Sequence, residues 1–436
     1  MKSDTNKIFA GFGFGPIQSA LFLYEAYQTG NFTRFAVVDI DAQLIEAVRG
    51  NGGRYTVNIA RPNRIDRATV EGVELFDPNK PEEAERFVAA VADSDEMCTA
   101  LPNVNIYGAG AEASVISLMA RGLKARAGTA KESMPTIVYT AENNNRAAEI
   151  LEQQVSPLLP VSLRNNVQFL NTVIAKMSGV IGDADTIERL GLARIAPGSP
   201  RAILVEEFNR ILISSINFSA FRRGIEVFVE KEDLLPFEEV KLYGHNAIHA
   251  FIAYLADLKG YEVMSEAGKD KWIMKTARRT LVEESGMALI RANAGINDPL
   301  FTEKGYTEFT DDLLGRIVNP NLNDLVMRVG RDHPRKLGIE DRLYGTMVIA
   351  LENGVTPRNL GLGAAAGVLC MIKRRGEQTR GVDLLPDSAA QLSRDGLESL
   401  LRALWGDHPA AAKHGRALVT LTWEGVEELR RLGLAG

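Results

Sequence analysis

The chain has 436 residues, of which 45% are hydrophobic and 24% charged, which is the balance of a soluble globular protein with two or three domains. The formal net charge of −6 argues against a general nucleic-acid binder, because such proteins carry an excess of basic side chains. Two cysteines, Cys98 and Cys370, are too few for a disulfide framework or a cysteine-rich zinc site. The sequence shows neither a signal-peptide pattern nor an apolar run long enough to cross a bilayer. It therefore predicts a cytoplasmic protein without a membrane partner.

The first forty residues predict a β-α-β unit. Residues 7–12 are an apolar run that ends in glycines, and apolar residues recur at helical spacing over residues 17–27. A second apolar run follows over residues 34–41 and ends in acidic residues. This alternation of strand and helix patterns is typical of a parallel sheet.

The turn after the first predicted strand carries the first two glycines of a G-x-G-x-x-G fingerprint, Gly13 and Gly15. The first would allow the tight turn, and the second would let the backbone approach a pyrophosphate at the start of the next helix. That helix would begin at Pro16 and Ile17, which we include among the cofactor contacts. Gln18 occupies the third glycine position, so the fingerprint is incomplete.

Asp39 closes the second predicted strand about 20 residues beyond the turn, where a carboxylate would accept hydrogen bonds from both ribose hydroxyls. Because the same charge would repel a 2′-phosphate, the sequence favours NAD, with NADP as the less favoured alternative. A second glycine-containing segment, residues 105–114, is interpreted as a later strand end facing the same crevice, with Gly108 as a cofactor contact.

The remaining patterns divide the chain into two parts. Strands are predicted at residues 136–143, 172–177 and 201–208, and from about residue 240 helical periodicity dominates. The expected fold is therefore α/β, with a Rossmann-type dinucleotide-binding domain over residues 1–215 and a mostly α-helical domain over residues 216–436.

Residues 241–249, KLYGHNAIH, hold a lysine, an asparagine and two of the chain's five histidines. On an α-helix Lys241 and His249 are related as i and i+8 and lie broadly on one face, and Asn246 and His249 are i, i+3 neighbours. A desolvated lysine can serve as a base, and amides can stabilise the negative charge that develops on an alcohol oxygen. This combination suits alcohol oxidation by a nicotinamide cofactor, with Asn143 at a strand end as the second amide.

A zinc site and a solvated helix face are the alternatives for this stretch. His245 and His249 have the spacing of a zinc pair, but the glutamate of H-E-x-x-H is missing and no further ligand lies nearby in sequence. We therefore predict no metal.

The pattern K-x4-N-x2-H in KLYGHNAIH resembles the signature of the polyol-specific long-chain dehydrogenases, the mannitol dehydrogenase family. The flanking segments HAFIAYLADLKGYE, NPNLNDLVMRVGRDHPRKLGIEDRL and ALENGVTPRNLGLGAAA extend the likeness over about residues 240–366. TAEN at residues 140–143 resembles a short family segment that ends in an acidic residue and asparagine. The pattern is closest to that of the mannitol-1-phosphate 5-dehydrogenases.

The resemblance implies a metal-independent reaction with five catalytic positions: Lys241 as general base, Asn246 and Asn143 on the reacting oxygen, His249 orienting the substrate, and Glu238 relaying protons. Glu239 is the alternative to Glu238, and a solvated pair of glutamates is the other interpretation. His245 receives no role.

A run of basic residues predicts an anion-binding surface, with Arg328, Arg331 and Lys336 as the favoured substrate contacts. A salt-bridged helix end is the alternative. The resulting hypothesis is an NAD-dependent oxidoreductase that interconverts a polyol, in particular a polyol phosphate such as mannitol 1-phosphate, and the ketose, fructose 6-phosphate.

Other substrates stay open, because Ala175 and Lys176 stand where the family usually has Asp-Arg. The alternatives are an unphosphorylated polyol, a sugar acid such as fructuronate, a mannityl conjugate of the opine kind, and a nucleotide sensor without catalysis. The sequence leaves the oligomeric state open between monomer and dimer.

Overall fold

The computed structural model describes residues 6–378 and 381–435. The chain divides into two compact units, Met1–Leu235 and Pro236–Gly436, whereas the predicted division is at 215/216. The later boundary has a structural reason. The short strand Val229–Lys231 pairs in parallel with Leu212–Ser214, so the chain stays in the first unit's sheet beyond residue 215.

The first unit contains every strand of the described residues. In chain order these are β1 Lys7–Phe12, β2 Phe32–Val38, β3 Tyr55–Ala60, β4 Ile65–Val70, β5 Val73–Phe76, β6 Glu96–Thr99, β7 Thr136–Thr140, β8 Val167–Val173, β9 Ser178–Ile181, β10 Ala202–Glu206, β11 Leu212–Ser214 and β12 Val229–Lys231. Eight of them form one sheet in the order β12-β11-β8-β7-β6-β1-β2-β5, and four form a smaller sheet in the order β4-β3-β10-β9.

The large sheet has the doubly wound topology that the sequence predicts. β1 pairs in parallel with β2 on one side and with β6 on the other. The chain runs outward from β1 to β2 and β5, then returns to β6 and runs outward to β7 and β8. The strand order therefore reverses between β1 and β6, and ligands of such sheets bind in the crevice beyond the carboxyl ends at this reversal. The predicted α/β class with a Rossmann-type first unit is confirmed.

Helices cover both faces of the large sheet. In the first unit the α-helices are α1 Leu23–Thr29, α2 Ala42–Gly50, α3 Pro81–Asp93, α4 Val115–Lys124, α5 Ala147–Val155, α6 Val161–Arg164 and α7 Ala184–Arg189, with a π-helical turn at Gln18–Phe22 before α1. Phe9 belongs to one apolar cluster and its neighbour Ala10 to another. β1 is thus buried on both faces, which explains its continuous apolar run.

Two strand predictions differ from the structure. Residues 172–177 were expected to be a strand, but β8 ends at Val173. Residues 105–114 contain no strand and instead form 3-10 turns at Val104–Ile106 and Ala111–Ala113. The strand preceding this loop is β6, at Glu96–Thr99. The buried Tyr107 gave the loop its strand-like apolar pattern.

The second unit is helical, as predicted. From Leu235 onward the α-helices are α8 Leu235–Glu239, α9 Ala247–Leu258, α10 Met264–Ala267, α11 Lys271–Arg279, α12 Met287–Ala292, α13 Glu303–Ile317, α14 Val326–Gly330, α15 His333–Lys336, α16 Tyr344–Glu352, α17 Arg358–Lys373, α18 Arg394–Trp405 and α19 Pro409–Arg431. Two π-helical turns, Val240–Asn246 and Thr280–Gly286, precede α9 and α12. Across the described residues no helix combines the length and apolarity needed to span a bilayer.

Candidate active site

The predicted dinucleotide turn lies at the reversal of the large sheet. Gly13 has a φ of +85°, and its N–H donates to the Val38 carbonyl at 2.8 Å. A Cβ atom at this position would lie 2.8 Å from the carbonyl oxygen of Ala100, just after β6. Both the backbone angle and the close approach therefore require glycine.

Gln18, which replaces the third glycine of the fingerprint, is fully buried. A Cβ atom on Gly11 would lie 1.9 Å from Gln18 Nε2. The third glycine of such fingerprints normally permits close packing of helix on strand. In this chain the glycine that permits close packing is Gly11 on the strand, and the side chain of Gln18 on the helix fills the space beside it.

Asp39 holds the turn as well as closing β2. Its Oδ2 accepts from the Phe14 N–H at 2.6 Å, and its Oδ1 accepts from the Asp41 N–H at 2.8 Å. Each carboxylate oxygen has a second lone pair, so the side chain can still accept from a ligand hydroxyl. The structure thus places a carboxylate beside the glycine turn, as the sequence predicts.

Glu142 fixes the ends of β6 and β7 to each other. Its buried carboxylate accepts from Thr99 Oγ1 at 2.9 Å, from the Leu101 N–H at 3.0 Å and from the Tyr107 hydroxyl. Burial raises its pKa, against these hydrogen bonds. Because the carboxyl ends of parallel β-strands share one edge, the predicted residues Asn143 and Gly108, which follow Glu142 and Tyr107, lie on loops at the same edge as Gly13.

Lys241 and Asn246 lie in the π-helical turn Val240–Asn246. On an α-helix, residues five apart would point about 140° away from each other. In a π-helical turn the hydrogen bonds run from i to i+5, which stacks residues five apart on one face. The K-x4-N spacing is therefore a π-helical spacing. The sequence analysis assumed an α-helix here, which was wrong for this turn.

Distant side chains stabilise this turn. The Tyr243 carbonyl accepts from Ser285 Oγ at 2.9 Å and from Thr346 Oγ1 at 3.1 Å. Ser285 Oγ also lies 3.1 Å from the Tyr306 hydroxyl, and a Cβ atom on Gly244 would lie 2.8 Å from that hydroxyl. The turn therefore depends on hydroxyl donors more than 40 residues away in the chain.

Burial lowers the pKa of the Lys241 ammonium to about 8. The Glu238 carboxylate opposes this shift and the Arg342 guanidinium reinforces it. Glu239, the alternative relay residue, instead raises the pKa of Tyr243, after burial. Of the two glutamates, Glu238 is the one whose charge acts on Lys241.

His249 begins a chain of polar contacts that the sequence analysis missed. Its Nε2 lies 3.1 Å from Asp324 Oδ2, while Asp324 Oδ1 accepts from Arg328 Nε at 2.8 Å and from Arg328 Nη2 at 2.6 Å. Burial raises the pKa of Asp324, but the hydrogen bonds from His249 and Arg328 outweigh it, so the net shift is downward. The i, i+4 spacing of Asp324 and Arg328 in NLNDLVMR was the available signal.

The other predicted anion contacts have different surroundings. The Lys336 ammonium is buried and donates to the Val329 carbonyl, and burial lowers its pKa to about 7. Arg331 is exposed. The three predicted basic residues are thus an arginine held by a carboxylate, a buried lysine and an exposed arginine.

His245, the other histidine of this stretch, has no metal-binding group around it among the described residues. It is buried, and desolvation holds its pKa well below 6.5. Its ring centroid is 6.0 Å from that of His249. Throughout residues 6–378 and 381–435, no group of three or more His, Cys, Asp or Glu side chains is arranged to hold a metal ion.

Comparison with known proteins gives these residues a family context. Residues 233–403, which include Glu238, Lys241, Asn246, His249 and Asp324, match the model of the mannitol dehydrogenase C-terminal domain. Residues 233–403 therefore belong to the mannitol dehydrogenase family. The chain is an oxidoreductase, and the resemblance stated from the sequence is confirmed.

Named relatives are distant. The chain is 28% identical over 368 residues to a mannitol-1-phosphate 5-dehydrogenase of Thermoanaerobacter pseudethanolicus, covering 82% of this chain and 84% of the relative. It is also 28% identical over 338 residues to the enzyme of the same name from Brevibacillus brevis, covering 76% and 78% of the two chains.

Two solved structures share the fold along nearly the whole chain. A D-sorbitol dehydrogenase in substrate-free form has a TM-score of 0.75 at 15% identity, covering 99% of this chain and 95% of that one. A Pseudomonas fluorescens mannitol 2-dehydrogenase in ternary complex with NAD and D-mannitol has a TM-score of 0.69 at 15% identity, covering 99% and 93%. These likenesses support the fold of both units.

Proposed function

We propose that the protein is an NAD-dependent polyol dehydrogenase in which Lys241 is the general base. The observation that carries this proposal is the lysine whose pKa lies near 8 in a π-helical turn that also presents Asn246. A base is most effective when its pKa is close to the working pH, and an ordinary lysine near 10.4 would be protonated there.

The first unit supplies the features that a dinucleotide requires. Gly13 clears the backbone at the sheet reversal, and the carboxylate of Asp39 keeps lone pairs for the ribose hydroxyls. We assign Gly15, Pro16 and Ile17 to the pyrophosphate side, with Gly108 on the loop after β6. Asp39 disfavours a 2′-phosphate by its charge, so NAD is the proposed cofactor over NADP.

The chemistry then divides among few side chains. A bound nicotinamide would supply the acceptor for the hydride that leaves the alcohol carbon. Neutral Lys241 takes the hydroxyl proton, and Glu238 passes that proton toward solvent. The amides of Asn246 and Asn143 stabilise the charge that develops on the oxygen, and His249 orients the substrate.

The proposed substrate is a polyol phosphate such as mannitol 1-phosphate, with fructose 6-phosphate as the ketose. The named relatives support this choice. Arg331 is the basic residue best placed to meet a phosphate, because it is exposed and the described residues offer its guanidinium no ion pair.

An unphosphorylated polyol is the second candidate. It is favoured by the contacts of the other two basic residues, since Arg328 is held by Asp324 and Lys336 by the Val329 carbonyl. If the phosphate matters, Arg331→Ala should raise the KM for mannitol 1-phosphate and leave the KM for mannitol unchanged. Equal effects on both substrates would favour the unphosphorylated polyol.

The test of the function is an NADH absorbance assay with matched pairs of substrates: mannitol 1-phosphate and mannitol, fructose 6-phosphate and fructose, with sorbitol and fructuronate added. We expect turnover with at least one polyol and its ketose, and higher kcat/KM with NAD than with NADP. Folded protein that binds NADH and turns over none of these compounds would contradict the proposal.

A further inference from the structure

Asp324 reaches His249 because a short loop is tied to the end of α9. The Asp324 carbonyl accepts from the Met264 N–H at 2.8 Å, and the Val326 N–H donates to the Glu262 carbonyl at 2.9 Å. Val263 and Leu325 form an antiparallel bridge between these segments. The backbone of residues 324–326 is therefore fixed against the chain that follows α9, which also carries His249.

The two oxygens of Asp324 have separate partners. Oδ2 faces His249 Nε2, and Oδ1 receives both donors of Arg328. The Asp324 side chain is only 5% exposed, whereas that of Arg328 is 49% exposed. Exposed ion pairs contribute little to stability, but a buried carboxylate with three charge-assisted hydrogen bonds has a fixed orientation.

This arrangement determines which nitrogen of His249 carries the proton. Arg328 can only donate and keeps Asp324 in its acceptor state, and an ionised carboxylate can only accept. The atom facing Asp324 must therefore be a donor, so Nε2 carries the hydrogen and Nδ1 of neutral His249 is left with a lone pair. Carboxylates orient functional histidines by the same contact in many enzymes.

We infer that Asp324 is a positioning residue that fixes the Nε2–H tautomer of His249, so that Nδ1 accepts a hydrogen bond from a substrate hydroxyl. This inference rests on the proposed function for the identity of the substrate. It extends that function, because it assigns His249 the role of acceptor and couples it through Asp324 to Arg328 on α14.

The substitution Asp324→Asn tests the tautomer directly. Because Arg328 offers only donors, the amide oxygen of the asparagine must face Arg328 and its NH2 must face His249. The NH2 donates, so His249 Nε2 must accept and Nδ1 must carry the hydrogen. The nearly isosteric substitution therefore reverses the tautomer of His249 and presents a donor where the substrate needs an acceptor.

The first measurement is NMR of protein labelled with 15N-histidine at neutral pH, with the His249 signals assigned by their loss in His249→Ala. Wild type should show the Nε2–H tautomer and Asp324→Asn the Nδ1–H tautomer. Glu398→Gln is the matched control, because Glu398 also pairs with an arginine four residues on, and it should leave the spectrum unchanged. An Nδ1–H tautomer in wild type would overturn the inference, and this arm needs no variant of Asp324 to fold.

The second measurement is a double-mutant cycle on polyol oxidation. Asp324→Asn should lower kcat/KM by about 10- to 100-fold, the range seen when carboxylates that orient metal-site histidines are removed, with NADH affinity unchanged. If Asp324 acts through His249, the double variant Asp324→Asn/His249→Ala should retain activity within about two-fold of His249→Ala alone. If the losses in kcat/KM of the two single variants multiply in the double variant, the inference is overturned, but the dehydrogenase assignment is unaffected. Absence of turnover in wild type over the whole panel would overturn both.

Discussion

One π-helical turn from each unit shows how differently the two regions proposed for function are built: the backbone half in the first unit and the side-chain half in the second. The turn Gln18–Phe22 follows the glycine loop, and its Ser19 carbonyl accepts from the Tyr55 hydroxyl at 2.6 Å. The turn Val240–Asn246 is held at the Tyr243 carbonyl by Ser285 and Thr346. The first lies beside the glycine turn proposed for the cofactor, and the second carries the proposed catalytic residues Lys241 and Asn246. The backbone half depends on glycine at one position, whereas the side-chain half depends on residues scattered along the chain.

The largest expected effect concerns the side-chain half. Lys241→Ala removes the proposed base and should lower kcat by about 10²- to 10⁴-fold, with NADH affinity unchanged because the backbone half is intact. Lys413→Ala, at an exposed ion pair with Glu352, is the control and should keep wild-type kcat. Steady-state kinetics and fluorescence titration with NADH measure the two quantities. Wild-type kcat in Lys241→Ala would refute its role as base.

In the backbone half, we expect Gly13 to be needed for stability and Gly15 to be needed only for cofactor binding. Gly13→Ala should destabilise the protein by about 1–3 kcal/mol, because alanine at a φ of +85° is strained and its Cβ would meet Ala100. A Cβ atom on Gly15 meets nothing within 4 Å, so Gly15→Ala should keep the wild-type Tm and lose NADH affinity only.

Thermal melting with and without NADH measures both glycine variants, and Gly50→Ala, which also has open space around its Cβ, is the control. Unchanged NADH affinity in Gly15→Ala would remove Gly15 from the cofactor site.

A smaller effect is expected from the support of the second π-helical turn. Ser285→Ala removes one donor from the Tyr243 carbonyl and leaves Thr346, so the free energy of unfolding should fall by about 0.5–1.5 kcal/mol. The kcat should fall by more than the stability loss explains, because Lys241 and Asn246 would lose their fixed alignment. Ser393→Ala, which removes the hydroxyl that caps α18, is the control for a lost hydroxyl. Wild-type kcat in Ser285→Ala would show that the turn holds without this donor.

The sequence predicted the backbone half more completely than the side-chain half. Gly13 and Asp39 could be located because the turn and the acidic strand end are separated by a short, regular spacing. Gln18 breaks the fingerprint in the sequence, but in the structure Gly11 takes over the packing role of the third glycine.

In the second unit the sequence identified the motif residues but not the π-helical turn that carries Lys241 and Asn246. Its spacing depends on hydroxyls at residues 285 and 346, which no local pattern connects to residue 243. The influence of Asp324 on His249 and that of Arg342 on Lys241 were missed for the same reason. Asp324 contacts His249 across about 75 residues of sequence, and the charge of Arg342 acts on Lys241 across about 100 residues.

The smallest effects are opposite shifts in the pH profile. Glu238 raises the pKa of Lys241 and Arg342 lowers it. Glu238→Gln should therefore move the rise of polyol oxidation to lower pH, and Arg342→Met should move it to higher pH. Profiles of kcat/KM against pH measure both, with Glu239→Gln as the matched control that leaves the midpoint unchanged. Shifts in the same direction for Glu238→Gln and Arg342→Met would contradict the electrostatic assignment.

The most direct test of Lys241 as the general base is the pH dependence of the wild-type enzyme in both directions. Oxidation needs the neutral amine, so kcat/KM for the polyol should rise with pH and level off above about 8. Reduction needs the protonated amine, so kcat/KM for the ketose should be highest below about 8 and fall above it. Profiles in the two directions that share a midpoint near pH 8, with both dependences abolished in Lys241→Ala, would support the account. Profiles that persist unchanged in Lys241→Ala would contradict it.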